Sequence, residues 1–196
     1  MYKVNEIFYS LQGEGCWTGT PMVFLRLSGC NLKCPFCDTK HEEGTMMSAE
    51  EIASRIREVD FGDDGYGNNC RRVCITGGEP FLQLDYPLIE ALHREDYRIH
   101  VETNGTYPRL EMLDWVTMSP KGKTVMDNPD EIKIIYEGGE PDLECWEEYC
   151  SRLFLQPCDT GNPIRNKEII NQAVAYIKKH AAWRLSLQTH KLIDIR

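Results

Sequence analysis

Short apolar runs alternate along this chain with stretches whose apolar residues return at helical spacing. Pro21-Met22-Val23-Phe24-Leu25-Arg26-Leu27-Ser28 is compact and apolar apart from Arg26, the pattern of a strand buried on both faces. An arginine in that setting is either paired in the interior or aimed at an anion. Residues 4–8, 72–76, 98–102, 115–118, 131–136, 153–155 and 183–187 are also predicted to be strands. Ser48-Ala49-Glu50-Glu51 reads as a capping box, with Ser48 as N-cap and Glu51 three residues on. It opens a helix that carries Ile52, Ile56 and Val59 on one face. Further helices are expected at residues 86–94, near 143–149 and from about 166 to 179. Residues 62–69 have the composition of a surface loop.

Strands that alternate with helices argue for an α/β fold with a parallel sheet. Residues 103–114 and 119–130 are too short to hold more than a turn or two of helix between strands, so the expected form is a partial, incomplete TIM-like barrel with abbreviated crossovers. No internal repeat or linker is evident, and residues 1–196 read as a single domain. Polar and glycine-rich segments fall where strands end, at 30–39, 77–80, 102–106, 119–121 and 156–159. In parallel α/β folds those ends meet on one face, where sites form.

Composition narrows the class. Hydrophobic content of 41% and charged content of 27% are ordinary for a soluble globular protein. No apolar run reaches membrane-spanning length, and Met1-Tyr2-Lys3-Val4-Asn5-Glu6 has no signal-peptide character, so a cytoplasmic protein with no membrane partner is expected. A net charge of −9 argues against a nucleic-acid partner. The balance is uneven: residues 165–196 carry seven Lys/Arg against two Asp/Glu, and residues 1–164 carry 15 against 29. The basic segment is expected to dock on the acidic body or to be solvated, in preference to forming a polyanion site.

The chemistry concentrates in Cys30-Asn31-Leu32-Lys33-Cys34-Pro35-Phe36-Cys37-Asp38-Thr39. Nine cysteines in a reducing compartment read as metal ligation plus buried thiols, not as a disulfide framework. Cys30, Cys34 and Cys37 can hold three irons of a 4Fe-4S cubane and leave the fourth open, whereas structural zinc needs four ligands. Cys74 reads as core, and Cys16, Cys70, Cys145, Cys150 and Cys158 lack ligand spacing. Gly77-Gly78-Glu79-Pro80 would let a ligand approach the backbone closely and offer Glu79 to an ammonium group. Ser119-Pro120-Lys121 offers a hydroxyl and a cation to a carboxylate, or is a solvated loop. Together these groups suit a zwitterionic amino acid chelating the open iron, and S-adenosylmethionine fits that description.

With Cx3Cx2C at one strand end and Gly-Gly-Glu at another, the chain resembles the radical S-adenosylmethionine superfamily. Within it the chain resembles the 7-carboxy-7-deazaguanine synthase family of queuosine and deazapurine biosynthesis. The resemblance rests on residues 11–15, Arg26-Leu27, 29–41, 75–80, Glu102-Thr103, 115–121, 155–157 and 183–191, which span almost the whole chain. It implies a radical SAM barrel and a ring-contracting carbon–nitrogen lyase. That enzyme converts 6-carboxy-5,6,7,8-tetrahydropterin to 7-carboxy-7-deazaguanine with release of ammonia, through a 5′-deoxyadenosyl radical that takes and returns one hydrogen. By the same resemblance, Cys30, Cys34 and Cys37 hold the cluster and Thr39 binds Mg2+. Phe36, Asp38, Gly78, Glu79, Ser119, Pro120, Lys121, Gln156, Pro157, Cys158 and Asp159 hold S-adenosylmethionine. Leu11, Gln12, Gly13, Glu14, Arg26, Thr76, Glu102, Asn104, His190 and Arg196 face the pterin, with Arg26 on its carboxylate. The implied partners are a reductase or flavodoxin-like electron donor and a second copy in a homodimer. The competing readings are an activase that places a glycyl radical on a partner protein, and a non-catalytic iron–sulfur electron-transfer module.

Overall fold

A computed structural model describes residues 1–37, 39–62 and 68–196. The chain opens with β1 (Tyr2–Leu11) and β2 (Pro21–Leu27), which pair antiparallel, and β3 (Thr45–Met47) adds antiparallel to the other edge of β1. Strands β4 (Arg72–Gly77), β5 (Arg98–Thr103), β6 (Trp115–Met118), β7 (Glu131–Tyr136), β8 (Leu153–Pro157) and β9 (Trp183–Leu185) then run parallel to β2. The sheet order is β3-β1-β2-β4-β5-β6-β7-β8-β9, so the sheet is open, as a partial barrel requires. No helix of the described residues is long and apolar enough to cross a membrane.

Helices cover the outer face. Helix α1 (Ala49–Phe61) begins at the expected capping box, with Ser48 accepting from the Glu51 N–H and Glu51 accepting from the Ser48 N–H. Helices α2 (Tyr86–Arg94) and α4 (Pro163–Lys179) each place proline in the first turn behind an Asp85 or Asn162 cap. Helix α1 packs on β1 and β2, α2 on β5, and α4 on β8 and β9. The core is therefore the outer layer: Leu25, Ile75, Ile99, Val116, Ile132 and Leu155 are fully buried against Ile52, Ile56, Leu88, Leu92, Ile169 and Ala173.

The inner faces of the same strands are mostly polar or aromatic, with Cys74 and Ile135 as apolar exceptions. Their N-terminal ends are plugged by Trp17, whose ring meets His100 at 4.9 Å and Trp115 at 5.4 Å, edge-on, with the Arg72 guanidinium 5.5 Å over it. Burial, then the neighbouring Arg72, holds His100 down at about 4.

Several expectations need adjusting. The strand expected at 4–8 runs from Tyr2 to Leu11, because it has a partner on each edge, and its pairing is antiparallel. Strand β3 was not anticipated. The helix expected near 143–149 is a single turn, α3 (Glu144–Glu147). The last strand stops at Leu185, not 187, because Ser186 turns its hydroxyl to Gln156 (2.9 Å) and accepts from the Gly15 N–H (2.9 Å). Beyond it lies a short helix, α5 (Thr189–Leu192). The surface loop expected at 62–69 falls partly outside the described residues.

Side chains lace the seam between β9 and β1. The Thr189 N–H and hydroxyl both donate to the Gly13 carbonyl at 2.9 Å, and the Gln188 amide donates to Glu14 at 3.0 Å. The basic terminal segment docks on the acidic body as expected, through Lys179–Glu140 (3.4 Å), Lys191–Asp159 (3.1 Å) and Arg196–Glu6.

Candidate active site

At the C-terminal ends of the parallel strands lies a cavity of about 540 Å3. Cys30, Cys34, Phe36, Cys37, Thr39, Gly78, Ser119, Lys121, Gln156, Pro157, Cys158 and Asp159 line it. Leu11, Gln12, Gly13, Glu14, Arg26, Thr76, Glu102, Asn104, His190 and Arg196 line it too. Two expected residues are not on its wall. Pro120 is absent from the lining. Glu79 is 1% exposed, and its carboxylate accepts from the Thr103 hydroxyl (2.8 Å), the Asn104 N–H (2.8 Å) and the Phe81 N–H (3.1 Å). It fastens the end of β4 to the end of β5, while burial raises its pKa against those bonds. Asp38 lies outside the described residues.

The cysteine loop is tied to its neighbours by polar bonds. Asn31 donates to the Thr106 hydroxyl (2.8 Å) and accepts from the Asn104 amide (3.0 Å). The Cys37 N–H donates to the Cys34 carbonyl (3.1 Å). A Cβ on Gly78 would stand 2.0 Å from the Gly29 carbonyl oxygen and 2.8 Å from the Cys30 Cβ. A Cβ on Gly77, at φ +146°, would stand 2.0 Å from the Leu27 oxygen. The immediate reason for two glycines is thus the close seat of this turn against the cysteine loop.

The three sulfurs suit a 4Fe-4S cluster. None is in a disulfide, and all three face one cavity. Burial raises the Cys34 thiol; Lys121 opposes that, and Cys30 and Cys37 reinforce it, a mutual repulsion that bound iron relieves. No three His, Cys, Asp or Glu side chains among the described residues converge on a single-ion site. A cubane puts each thiolate on its own iron and does not ask for that convergence. Beside the loop, the Lys121 ammonium lies 5.8 Å from the Phe36 ring centroid and donates to the Ser119 hydroxyl at 2.6 Å. Burial, then the charge of Lys133, pushes it down to about 8.

The floor is built around Lys133, whose side chain is 5% exposed. Its Nζ lies 2.5 Å from Glu14 Oε2 and 2.9 Å from Glu102 Oε2. The Gln12 amide donates to Glu102 Oε1 (3.2 Å) and its oxygen accepts from the Glu14 N–H (3.2 Å). Burial works to raise Glu14, but the Lys133 charge and hydrogen bond, with that of Gln188, hold it down at about 2. Glu102 goes the other way, raised by burial against the pull of Lys133.

Two glycines permit this floor. A Cβ on Gly13 would sit 2.1 Å from His190 Nδ1, so that ring packs directly on the backbone. A Cβ on Gly15, at φ +66°, would sit 2.0 Å from Glu131 Oε1. Glu131 accepts from the Cys16 N–H at 2.9 Å, and burial, then the charge of Glu102, raises it to about 7. At the cavity's other side Arg26 Nε lies 2.7 Å from Glu6 Oε1, and Arg196 shares the same carboxylate. Arg26 is thus both paired and on the wall.

Lys133, Gln188 and Glu6 belong to the site but were not among the expected residues. The signal for Lys133 was present in Glu131-Ile132-Lys133-Ile134-Ile135-Tyr136, where polar residues at alternate positions mark one face as polar.

A family model described as the Radical SAM superfamily matches residues 25–120. The chain is 48% identical to a protein of Bacteroides thetaiotaomicron named 7-carboxy-7-deazaguanine synthase, over the full length of both. It is 38% identical to the Burkholderia multivorans protein of the same name, over 99% of each chain. Among solved structures, the crystal structure of QueE from Escherichia coli superposes with a TM-score of 0.71 and 30% identity, over 96% of this chain and 94% of that one.

Proposed function

The chain belongs to the 7-carboxy-7-deazaguanine synthase family, and from that premise we infer that it is a radical SAM lyase of 7-deazapurine biosynthesis, contracting 6-carboxy-5,6,7,8-tetrahydropterin to 7-carboxy-7-deazaguanine with release of ammonia. The observation that carries this reading is one cavity whose wall holds both the three-cysteine loop and a polar floor. When bound, the cluster and S-adenosylmethionine supply the one-electron and radical chemistry.

The residues divide the remaining work. Cys30, Cys34 and Cys37 are the thiolates for the cluster. Ser119 and Lys121 stand ready for the cofactor carboxylate, and Gln156 to Asp159 for its adenosine. Glu79 lies one residue from the wall and serves by holding the turn. The Thr39 hydroxyl is the proposed Mg2+ ligand, since Mg2+ keeps much of its hydration and takes few protein oxygens. Arg26, with Glu6 and Arg196 around it, is the guanidinium for the pterin carboxylate. Gln12, Glu14, Glu102 and Asn104 offer the acceptors and donors that a pterin ring needs, and they fix its orientation against the cofactor.

Residues 1–196 act as one domain in this reading. Lys33 and Lys40 are exposed beside the cysteine loop, which favours an acidic electron donor such as a flavodoxin-like protein. Exposed Leu192 (72%), Ile193 (59%) and Ile195 (37%) favour a homodimer. A glycyl-radical activase or a non-catalytic electron-transfer module would leave the Gln12–Glu14–Glu102 floor without a task.

The test is anaerobic reconstitution with iron and sulfide, followed by reductant, S-adenosylmethionine, Mg2+ and the carboxytetrahydropterin. Formation of the deazaguanine acid is expected. An intact, reducible cluster with no such product would falsify the reading.

A further inference from the structure

The charge at the cavity floor is not explained by folding. Lys133, Glu14 and Glu102 have side chains 5%, 17% and 21% exposed, and a single ammonium bridges the two carboxylates. Buried ion pairs are commonly matched in stability by apolar residues of the same volume, so packing alone gives no reason to keep this group. Shielded carboxylate oxygens with unused lone pairs are costly unless something donor-rich completes them.

The bonding is ordered. Each carboxylate has one oxygen tied to a glutamine, Gln188 on Glu14 and Gln12 on Glu102, and its other oxygen tied to Lys133. Every carboxylate oxygen has capacity for a second hydrogen bond, and both carboxylates face the cavity. The nearby Lys121 ammonium donates to the neutral Ser119 hydroxyl and also acts electrostatically on both carboxylates, whereas Arg26 is engaged on Glu6. Lys133 reaches the two carboxylates from the inner face of β7, where it and Ile135 both line the cavity.

We propose that Lys133 is a positioning residue for substrate: it holds Glu14 and Glu102 as two fixed acceptors, whose remaining lone pairs select a flat heterocycle that presents N–H donors along one edge. This rests on the pterin reading above, because the 2-amino-4-oxopyrimidine edge of a pterin presents such donors in one plane. Lys133 lines the cavity floor with its ammonium engaged on the two glutamates. It acts through the two glutamates, which without it would repel each other or be left with one protonated and no longer a pure acceptor.

The experiment compares Lys133→Met with the unaltered holoenzyme, measuring pterin affinity, the split of KM from kcat, and the change S-adenosylmethionine makes in the reduced cluster's EPR spectrum. Pterin binding is expected to weaken by about 100-fold, the scale of truncating one partner of a buried charge pair, with the rise carried in KM and the EPR response retained. Unchanged pterin affinity in a variant that keeps its EPR response overturns the proposal, as does a loss confined to kcat. Should Lys133→Met not retain a cluster, Lys133→Met with Glu14→Gln preserves the group's net charge and is compared with Glu14→Gln alone. At least tenfold weaker binding in the double variant, roughly the middle of the range for coupled neighbours, bears the proposal out, and equal affinity overturns it. Unaltered holoenzyme that fails to bind pterin overturns the substrate reading itself.

Discussion

At the scale of single residues, two glycines two positions apart have separable duties. Gly15 has a positive φ (+66°) and lies against the Glu131 carboxylate, so Gly15→Ala strains the backbone and collides with a buried group. We expect a loss of about 2 kcal/mol or more in unfolding free energy, read as a lower Tm. Gly13 needs no left-handed backbone, and the atoms nearest its added methyl all belong to the His190 side chain. Gly13→Ala should displace that ring, raising KM for the pterin while Tm moves little. Equal Tm losses in the two variants would contradict this division. Neither duty was legible in Leu11-Gln12-Gly13-Glu14-Gly15 as a sequence, because the colliding groups, His190 and Glu131, are distant along the chain. Lys133 escaped for a related reason: within an apolar strand its alternation was visible, but its two partners were not.

At the scale of elements, the seam between β1 and β9 depends on side chains. Replacing Gln188 by Ala and Thr189 by Val together removes one bond to Glu14 and one to Gly13, each worth about 1 kcal/mol. Amide hydrogen exchange should rise at residues 13–15 while remaining unchanged in β4 and β5, and the cluster should still form. Faster exchange throughout the sheet would mean that the seam is not a local latch. The elements themselves were largely readable. The capping box, the apolar runs and the short crossovers at 103–114 and 119–130 gave the helices, the strands and an incomplete barrel. Pairing direction was not readable, because the loop between β1 and β2 could serve a hairpin or a crossover until Gln12 was seen to bond back to Thr20. Edge elements were the least readable: β3 and the end of β9 depend on what lies alongside them.

At the scale of the whole molecule, two buried groups give stability opposing slopes with pH. His100 sits at about 4 in the fold against an ordinary 6.5, so the stability of keeping it neutral is present above pH 6.5 and is lost as pH falls toward 4. That difference is worth about 3 kcal/mol at most. Glu131 sits at about 7 against an ordinary 4.5, so its contribution is present below pH 4.5 and is lost as pH rises through 7. Between pH 4.5 and 6.5 the two oppose each other, with Glu79 and Glu102, also raised by burial, on the side of Glu131. Glu131→Gln should tilt the profile toward a decline from pH 6.5 to acid relative to the unaltered protein, measured by thermal unfolding across that range; identical slopes in the two proteins would remove Glu131 from this account. The division of each strand into an outer face packed on helices and an inner face lining the cavity has a further consequence, for how such an enzyme can change. Along β7, Ile132 belongs to the packed layer while Lys133 and Ile135 belong to the cavity. Inheritance of foldedness and inheritance of substrate choice therefore occupy alternate codons of one short stretch, and drift in one need not erode the other.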